Sequence, residues 1–193
     1  MRITRGSQKQ NPGHGYPLPL AADIINQLKG ANYFTKFDVR WGYHNIRIKH
    51  GDEWKGAMAT NRGLFEPKVM YFGMTNSPAT FQALMNSVFA DLIVKSEVAV
   101  YMDDILIYSK DLKHHRKVVR EVLSRLQQHD LYLKPEKCDF EKKEIDYLGI
   151  IVSNGKIQMD PKKLNGVADW PIPKNPTDIQ KFLGFTGYYR YFV

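Results

Sequence analysis

The sequence predicts an α+β domain, and three observations carry that expectation. Apolar runs rich in β-branched and aromatic residues, the composition of strands, lie at 33–39, 98–109 and 146–152. Apolar residues recur at helical spacing over 77–94 and 112–129. Strands and helices do not alternate as regular βαβ units, so mixed helices and mostly antiparallel strands are expected. At 193 residues and 43% apolar composition, the chain can bury one sizeable core. Lys and Arg number 28 against 20 Asp and Glu, a net charge of +8. That excess predicts an anionic partner, of which nucleic acid is the commonest. The single cysteine, Cys138, excludes an internal disulfide, fits a reducing compartment and argues against a cysteine-rich zinc site. No apolar run approaches the roughly 20 residues of a membrane span, and no signal-peptide pattern opens the chain, so no membrane association is expected.

Taken in order, residues 1–15 lack apolar periodicity and read as a flexible basic lead. Pro17 and Pro19 make an extended lead-in. Ala21, Ile24, Ile25 and Leu28 share one helical face, and Gly30 is a C-terminal stop. The strand 33–39 carries Asp38 near its end. A carboxylate in such a run must be paired or bound to a cation, and Lys36, Arg40 or a distant base can supply the salt bridge. Arg40-Trp41-Gly42-Tyr43 is a tight connection. The alternating runs 44–50 and 54–60 predict a hairpin about Gly51-Asp52-Glu53. Residues 64–72 predict another strand, which Pro67 confines to an edge or bulge.

Ser77 as cap and Pro78 at the first position open the helix 77–94. Its Phe81, Leu84, Met85, Val88, Phe89 and Leu92 form a core stripe. Asp111 caps a helix over 112–129, with Val118, Val119, Val122, Leu123 and Leu126 inward. Its outer Lys113, Arg116, Lys117, Arg120 and Arg125 make a solvated face, and His114-His115 reads as a solvated helix start, not a metal pair. Residues 130–143 are charged and mostly irregular. A strand at 146–152 turns at Ser153-Asn154-Gly155 onto 156–159. Asp160-Pro161 opens a short helix, the prolines at 171, 173 and 176 stiffen a linker, and Thr177 with Gln180 forms a capping box for the last helix.

The chemistry concentrates in 98–109, Val-Ala-Val-Tyr-Met-Asp-Asp-Ile-Leu-Ile-Tyr-Ser. Two β runs meet at Asp103-Asp104, where a hairpin would ordinarily place Asn-Gly or Asp-Gly. Asp is a common turn residue, but two adjacent carboxylates repel unless a cation lies between them. Asp38 ends another strand, and a strand–helix–hairpin order can bring all three acids to one mouth. Mg²⁺ takes carboxylate oxygens together with substrate phosphates, and two such ions can clamp an in-line phosphoryl displacement. No Ser-His-Asp set, Cys-His pair or Walker-type glycine loop competes with that chemistry.

Tyr101-Met102-Asp103-Asp104 in an apolar hairpin resembles the catalytic box of reverse transcriptases. Phe34-Thr-Lys-Phe-Asp-Val-Arg-Trp-Gly-Tyr43 looks like the box of the first metal aspartate, and Phe72-Gly73 through Gln82 looks like the next. Tyr147-Leu148-Gly149 looks like the primer-grip strand. Phe182-Leu183-Gly184 through Tyr188-Tyr189-Arg190 looks like the helix after the thumb connection. Together they are most similar to gypsy-type LTR retrotransposons, over roughly residues 16–193. The order and spacing of five boxes make the resemblance specific.

The resemblance implies a right-hand palm with partial fingers over 16–159 and the start of the thumb or connection over 160–193. Asp38, Asp103 and Asp104 would bind two Mg²⁺, with Mn²⁺ as the alternative ion. Tyr43 would stack under the sugar of the dNTP and exclude a ribose 2′-hydroxyl, or pack in the core, or both. Backbone N–H groups of Trp41 and Gly42 would face the triphosphate, and Phe72 and Gly73 would pack on the nucleotide and template. Tyr101, Met102, Leu148 and Gly149 would contact the primer. The implied activity is RNA-directed DNA polymerisation, with an RNA template, a DNA primer, and ribonuclease H and integrase as neighbours in a Pol polyprotein. The implied location is a cytoplasmic virus-like particle. The chain departs from the family in four respects: residues 1–15 do not match the fingers, Tyr71 replaces a usual Pro, Met58 replaces a frequent Phe, and no ribonuclease H follows. An N-terminally truncated polymerase domain is therefore expected, with a degenerate relic that binds nucleic acid without polymerising as the alternative.

Overall fold

The computed structural model describes Pro19, residues 21–153 and residues 156–189. The basic lead at 1–15, the lead-in at Pro17, the Asn154-Gly155 turn and Arg190 lie outside the described residues. So do the side chains of Ala21 and Ile25.

The chain runs α1 (Ala21–Gln27), β1 (Tyr33–Asp38), β2 (Met58–Thr60), β3 (Gly63–Phe65), α2 (Ser77–Val88), α3 (Ala90–Val94), β4 (Val98–Tyr101) and β5 (Asp104–Ser109). Then follow α4 (Leu112–Gln128), β6 (Asp139–Lys142), β7 (Glu144–Tyr147), β8 (Ile150–Ser153), β9 (Lys156–Met159), α5 (Pro161–Ala168) and α6 (Pro176–Tyr188). A four-stranded antiparallel sheet in the order β4-β5-β1-β6 is the centre. Because side chains alternate along a strand, the sheet has two different faces. Phe37 and Val39, Val98 and Val100, and Ile105 and Ile107 pack with Phe81, Met85, Val118, Val122 and Leu126 from the helices. Phe34, Ala99, Leu106 and Tyr108 pack on the other side with α1 and with the three-stranded sheet β7-β8-β9. Phe34 and Phe37 are fully buried, each worth about 1.5–3 kcal/mol over exposure.

Several expectations are corrected. Runs 44–50 and 54–60 do not pair. The first bonds to the segment after Pro67, through Ile48 N–H to Lys68 O (2.9 Å) and Met70 N–H to Ile46 O (2.9 Å). Residues 53–56 coil into a 3₁₀ turn, and the hairpin is β2–β3, with Gly63 at φ 126° where a side chain would be strained. The strand expected over 64–72 is accordingly cut to β3 and one bridge at Val69. The helix expected over 77–94 breaks at Phe89 into α2 and α3. Ser77 is its first residue, buried, with its hydroxyl donated to Tyr71 O instead of capping.

Asp111 does cap α4, accepting the His114 N–H at 2.7 Å, but Leu123 is exposed and Val119 only partly buried. His115 is fully buried, bonded to Thr35 Oγ1 (2.7 Å) and Ser109 Oγ (3.1 Å), so it is no solvated helix start. Residues 139–142 form the edge strand β6. Charged residues suit an exposed edge, which made the strand resemble a loop. The strand expected over 146–152 is a hairpin, β7–β8. Leu148 (φ 52°) and Gly149 (φ 76°) take the two left-handed positions of a tight turn. Asn175, not Thr177, caps α6, accepting the Asp178 N–H at 2.9 Å.

Candidate active site

The β4–β5 hairpin turns on Met102-Asp103, with Tyr101 opposite Asp104. Met102 adopts φ 53°, an unusual conformation for a residue with a side chain. Gln82, fully buried on α2, holds it there. Its Oε1 accepts the Met102 N–H (2.7 Å), and its Nε2 donates to Val100 O (3.1 Å) and Asn86 Oδ1 (2.9 Å). Gln82 thus fixes the turn between the two strands, a role its place in an apolar helix stripe did not disclose. A glutamine on such a stripe was the available signal, since a buried amide must find partners.

Asp38 ends β1 directly opposite Asp104, so the two side chains leave the same face. The Val39 N–H donates to Asp103 O at 2.9 Å, binding the hairpin tip to the end of β1. Asp104 is pushed above the usual carboxylate range by burial, then by the negative charge of Asp38. Asp103 is likewise pushed up, first by burial; Lys134 opposes the shift, and Asp38 and Asp104 add to it. Its Oδ1 is buried and has no hydrogen-bond partner. The floor beneath that oxygen is Gly42. A Cβ there would lie 2.6 Å from Asp103 Oδ1 and 2.7 Å from Phe81 Cζ, so only glycine fits.

Asp38 is paired. Lys134 Nζ lies 2.5 Å from its Oδ1 and Lys137 Nζ 3.6 Å from its Oδ2. These lysines are the distant base that Asp38 needs, and they come from a charged segment whose sequence carries no periodic signal to locate them. A cavity of about 350 Å³ opens here, lined by Lys36, Asp38, Asp104, Glu136, Lys137, Cys138 and Asp139. Asp103 does not line it. Among the described residues no three His, Cys, Asp or Glu side chains converge tightly enough to hold a metal ion. The three acids are therefore neighbours, but Asp38 and Asp104 face the cavity while Asp103 turns toward Gly42.

Around them, Tyr43 is buried between Phe72 (4.9 Å between ring centroids) and Phe81 (5.8 Å). Its phenol is pushed up by burial and by the charge of Asp103. Trp41 is at φ 51°, exposed, with the Arg40 guanidinium 4.4 Å from its ring centre. Phe72 is exposed and Gly73 is at φ 107°. Tyr101 packs toward the second cluster and Met102 toward the first. Leu148 and Gly149 sit at the β7–β8 turn. Lys36 links that hairpin to the acid end, donating to Asp146 O at 2.9 Å.

Residues 2–152 match the family described as reverse transcriptase (RNA-dependent DNA polymerase). The chain belongs to the reverse transcriptase family. It is 39% identical to the Retrovirus-related Pol polyprotein from transposon 297 of Drosophila melanogaster, over 92% of this chain and 17% of that one. It is 36% identical to the Transposon Tf2-3 polyprotein of Schizosaccharomyces pombe, over 92% of this chain and 13% of that one. The chain thus spans less than a fifth of the length of these curated relatives. Among solved structures, a foamy viral protease-reverse transcriptase in complex with dsDNA superposes with a TM-score of 0.86 at 20% identity, covering 97% of this chain and 39% of that one. The same viral protein in complex with RNA/DNA hybrid gives 0.79 at 19% identity, over 91% and 24%. At that identity the likeness establishes the fold, an α+β polymerase palm, as the family membership requires.

Reverse transcriptases use divalent metal ions, and the residues present suit one by donor chemistry, while among the described residues the three acids do not converge on a single point. All three acids offer hard oxygen donors, and Asp103 Oδ1 is buried without a hydrogen-bond partner.

Proposed function

We propose that this chain is the RNA-directed DNA polymerase domain of a gypsy-type retrotransposon Pol polyprotein. On this reading residues 16–159 are the palm with part of the fingers, and 160–193 begin the thumb. The observation that supports the reading is the carboxylate trio at the joined ends of β1 and β5, set on a hairpin that Gln82 and Val39 immobilise. The substrates are a dNTP, an RNA or DNA template and a DNA primer. The ribonuclease H and integrase of the same polyprotein are partners, and the place of action is a cytoplasmic virus-like particle. Among the described residues no helix is long and apolar enough to cross a membrane.

Asp38, Asp103 and Asp104 would hold Mg²⁺ or Mn²⁺. Bound there, the two ions supply positive charge to the primer 3′-hydroxyl and the triphosphate. The chain's own contribution is positioning and electrostatic preorganisation. Tyr43, wedged by Phe72 and Phe81, presents a rigid ring edge to the sugar and leaves no room for a 2′-hydroxyl. Trp41 and Gly42 direct main-chain N–H groups to the phosphates, while exposed Phe72 and the left-handed Gly73 shape the surface under the templating base. Tyr101, Met102, Leu148 and Gly149 hold the primer end.

Primer extension on an RNA template with Mg²⁺, comparing wild type with Asp103→Asn, tests the assignment. The substitution should cost on the order of 10³-fold in rate. It should also raise the melting temperature, because it removes a charge that burial disfavours. Extension that survives the substitution refutes the site, and duplex binding without metal-dependent extension identifies a relic.

A further inference from the structure

Asp38 is only 16% exposed, and both of its oxygens already have cations. The nearer one is not a wandering surface lysine. Residues 132–138 are laced to the end of β1 by the backbone. Arg40 N–H donates to Tyr132 O at 2.6 Å, Val39 bridges Leu133, and Lys134 N–H donates to Asp38 O at 3.0 Å. The Lys134 carbonyl in turn accepts the Lys137 N–H (3.0 Å) and the Cys138 thiol (3.2 Å). Lys134 is therefore fixed on both sides of its Cα, with its side chain only 27% exposed, and its ammonium is aimed at Asp38 Oδ1. Lys137, 3.6 Å from the other oxygen and 59% exposed, is a looser second cation.

We propose that Lys134 is a built-in counter-ion of Asp38 that competes with divalent metal for the same carboxylate. The inference rests on the reading of Asp38 as a metal ligand. A lysine ammonium and a hard dication want the same oxygen, and at short range inside a half-buried site the two charges exclude each other. Lys134 keeps the acid end of the sheet from exploding by self-repulsion, and it sets a toll that every metal ion must meet. Its release from Asp38 would leave an unpaired positive charge beside the carboxylates. Metal occupancy and the free lysine charge are thereby coupled.

The test is Mn²⁺ binding to the full chain, read by EPR without nucleotide or primer. Lys134→Met, which keeps length and removes charge, should bind Mn²⁺ about tenfold more tightly than wild type. Lys134→Arg should restore weak binding, and Lys137→Met should have a smaller effect. Unchanged or weaker binding by Lys134→Met overturns the proposal. If that variant does not fold, an NMR titration of ¹³Cε-lysine-labelled wild type with Mg²⁺ decides. The Lys134 resonance, assigned from the spectrum of Lys134→Arg, should shift in step with saturation, and a stationary resonance refutes competition. Asp38→Asn separates this result from the parent reading. If wild-type Mn²⁺ binding is absent or ignores Asp38→Asn, the metal site itself fails. If binding needs Asp38 but ignores Lys134→Met, only the competition fails.

Discussion

Two hairpins of similar build serve opposite ends. β4–β5 and β2–β3 are both antiparallel pairs closed by two residues. The first is sandwiched, with Val100, Ile105 and Ile107 against the helices and Ala99 and Leu106 against the second cluster. The second lies open, with Leu64 and Phe65 exposed and Gly63 free of any close neighbour. Carboxylates that must hold position within fractions of an ångström sit on the buried hairpin, where packing on both faces leaves no alternative geometry. The exposed hairpin has few packed side chains to hold it and belongs to the low-stability end of the structure.

That contrast can be broken, most severely in the buried hairpin. Ile107→Ala should destabilise the protein by about 2–5 kcal/mol, measured by urea unfolding, because a void opens between sheet and α4. A milder loss than 1 kcal/mol would mean that the hairpin is not the rigid element. Gly42→Ala should reduce primer extension on the order of 10²-fold by displacing Asp103, with Phe81→Leu in the same chain recovering part of it. No loss from Gly42→Ala would show that the Asp103 geometry is dispensable.

A pH effect comes next. Burial holds the His115 imidazole below its ordinary value, so the unfolded chain takes up that proton more readily. Stability from His115 is complete above about pH 6.5 and is lost as pH falls below it. Urea midpoints between pH 7.5 and 5 should show the decline, and His115→Gln should flatten it. The smallest effect belongs to the open hairpin. Leu64→Ala should change stability by no more than about 0.5 kcal/mol, and a larger change in a melting curve would show that β2–β3 is not the loose partner.

The same contrast explains what the sequence could disclose. Strand β1, the hairpin 98–109 and helix α4 were legible because burial on a periodic face writes itself into composition. Asp103-Asp104 stood out as charges where apolar packing was expected. In 44–72 no face is continuously buried, so alternation gave the wrong pairing partner for Ile46 and Ile48. Lys134 and Lys137 were hidden for a related reason. Their segment is exposed and charged, and its order comes from backbone bonds to Val39 and Asp38 that no side-chain pattern reports. Leu148-Gly149 concealed a turn because Leu seldom takes the left-handed position that Asn or Gly fills there.

The Lys36 bond to Asp146 O has a structural consequence. Lys36 and Asp38 are one strand repeat apart, roughly 7 Å, and point the same way. Lys36 therefore ties strand β7, at Asp146, to the face of β1 that carries Asp38. That tie adds a polar link to the apolar packing of Phe34 and Leu106 on Ile145 and Tyr147 that already joins the two sheets.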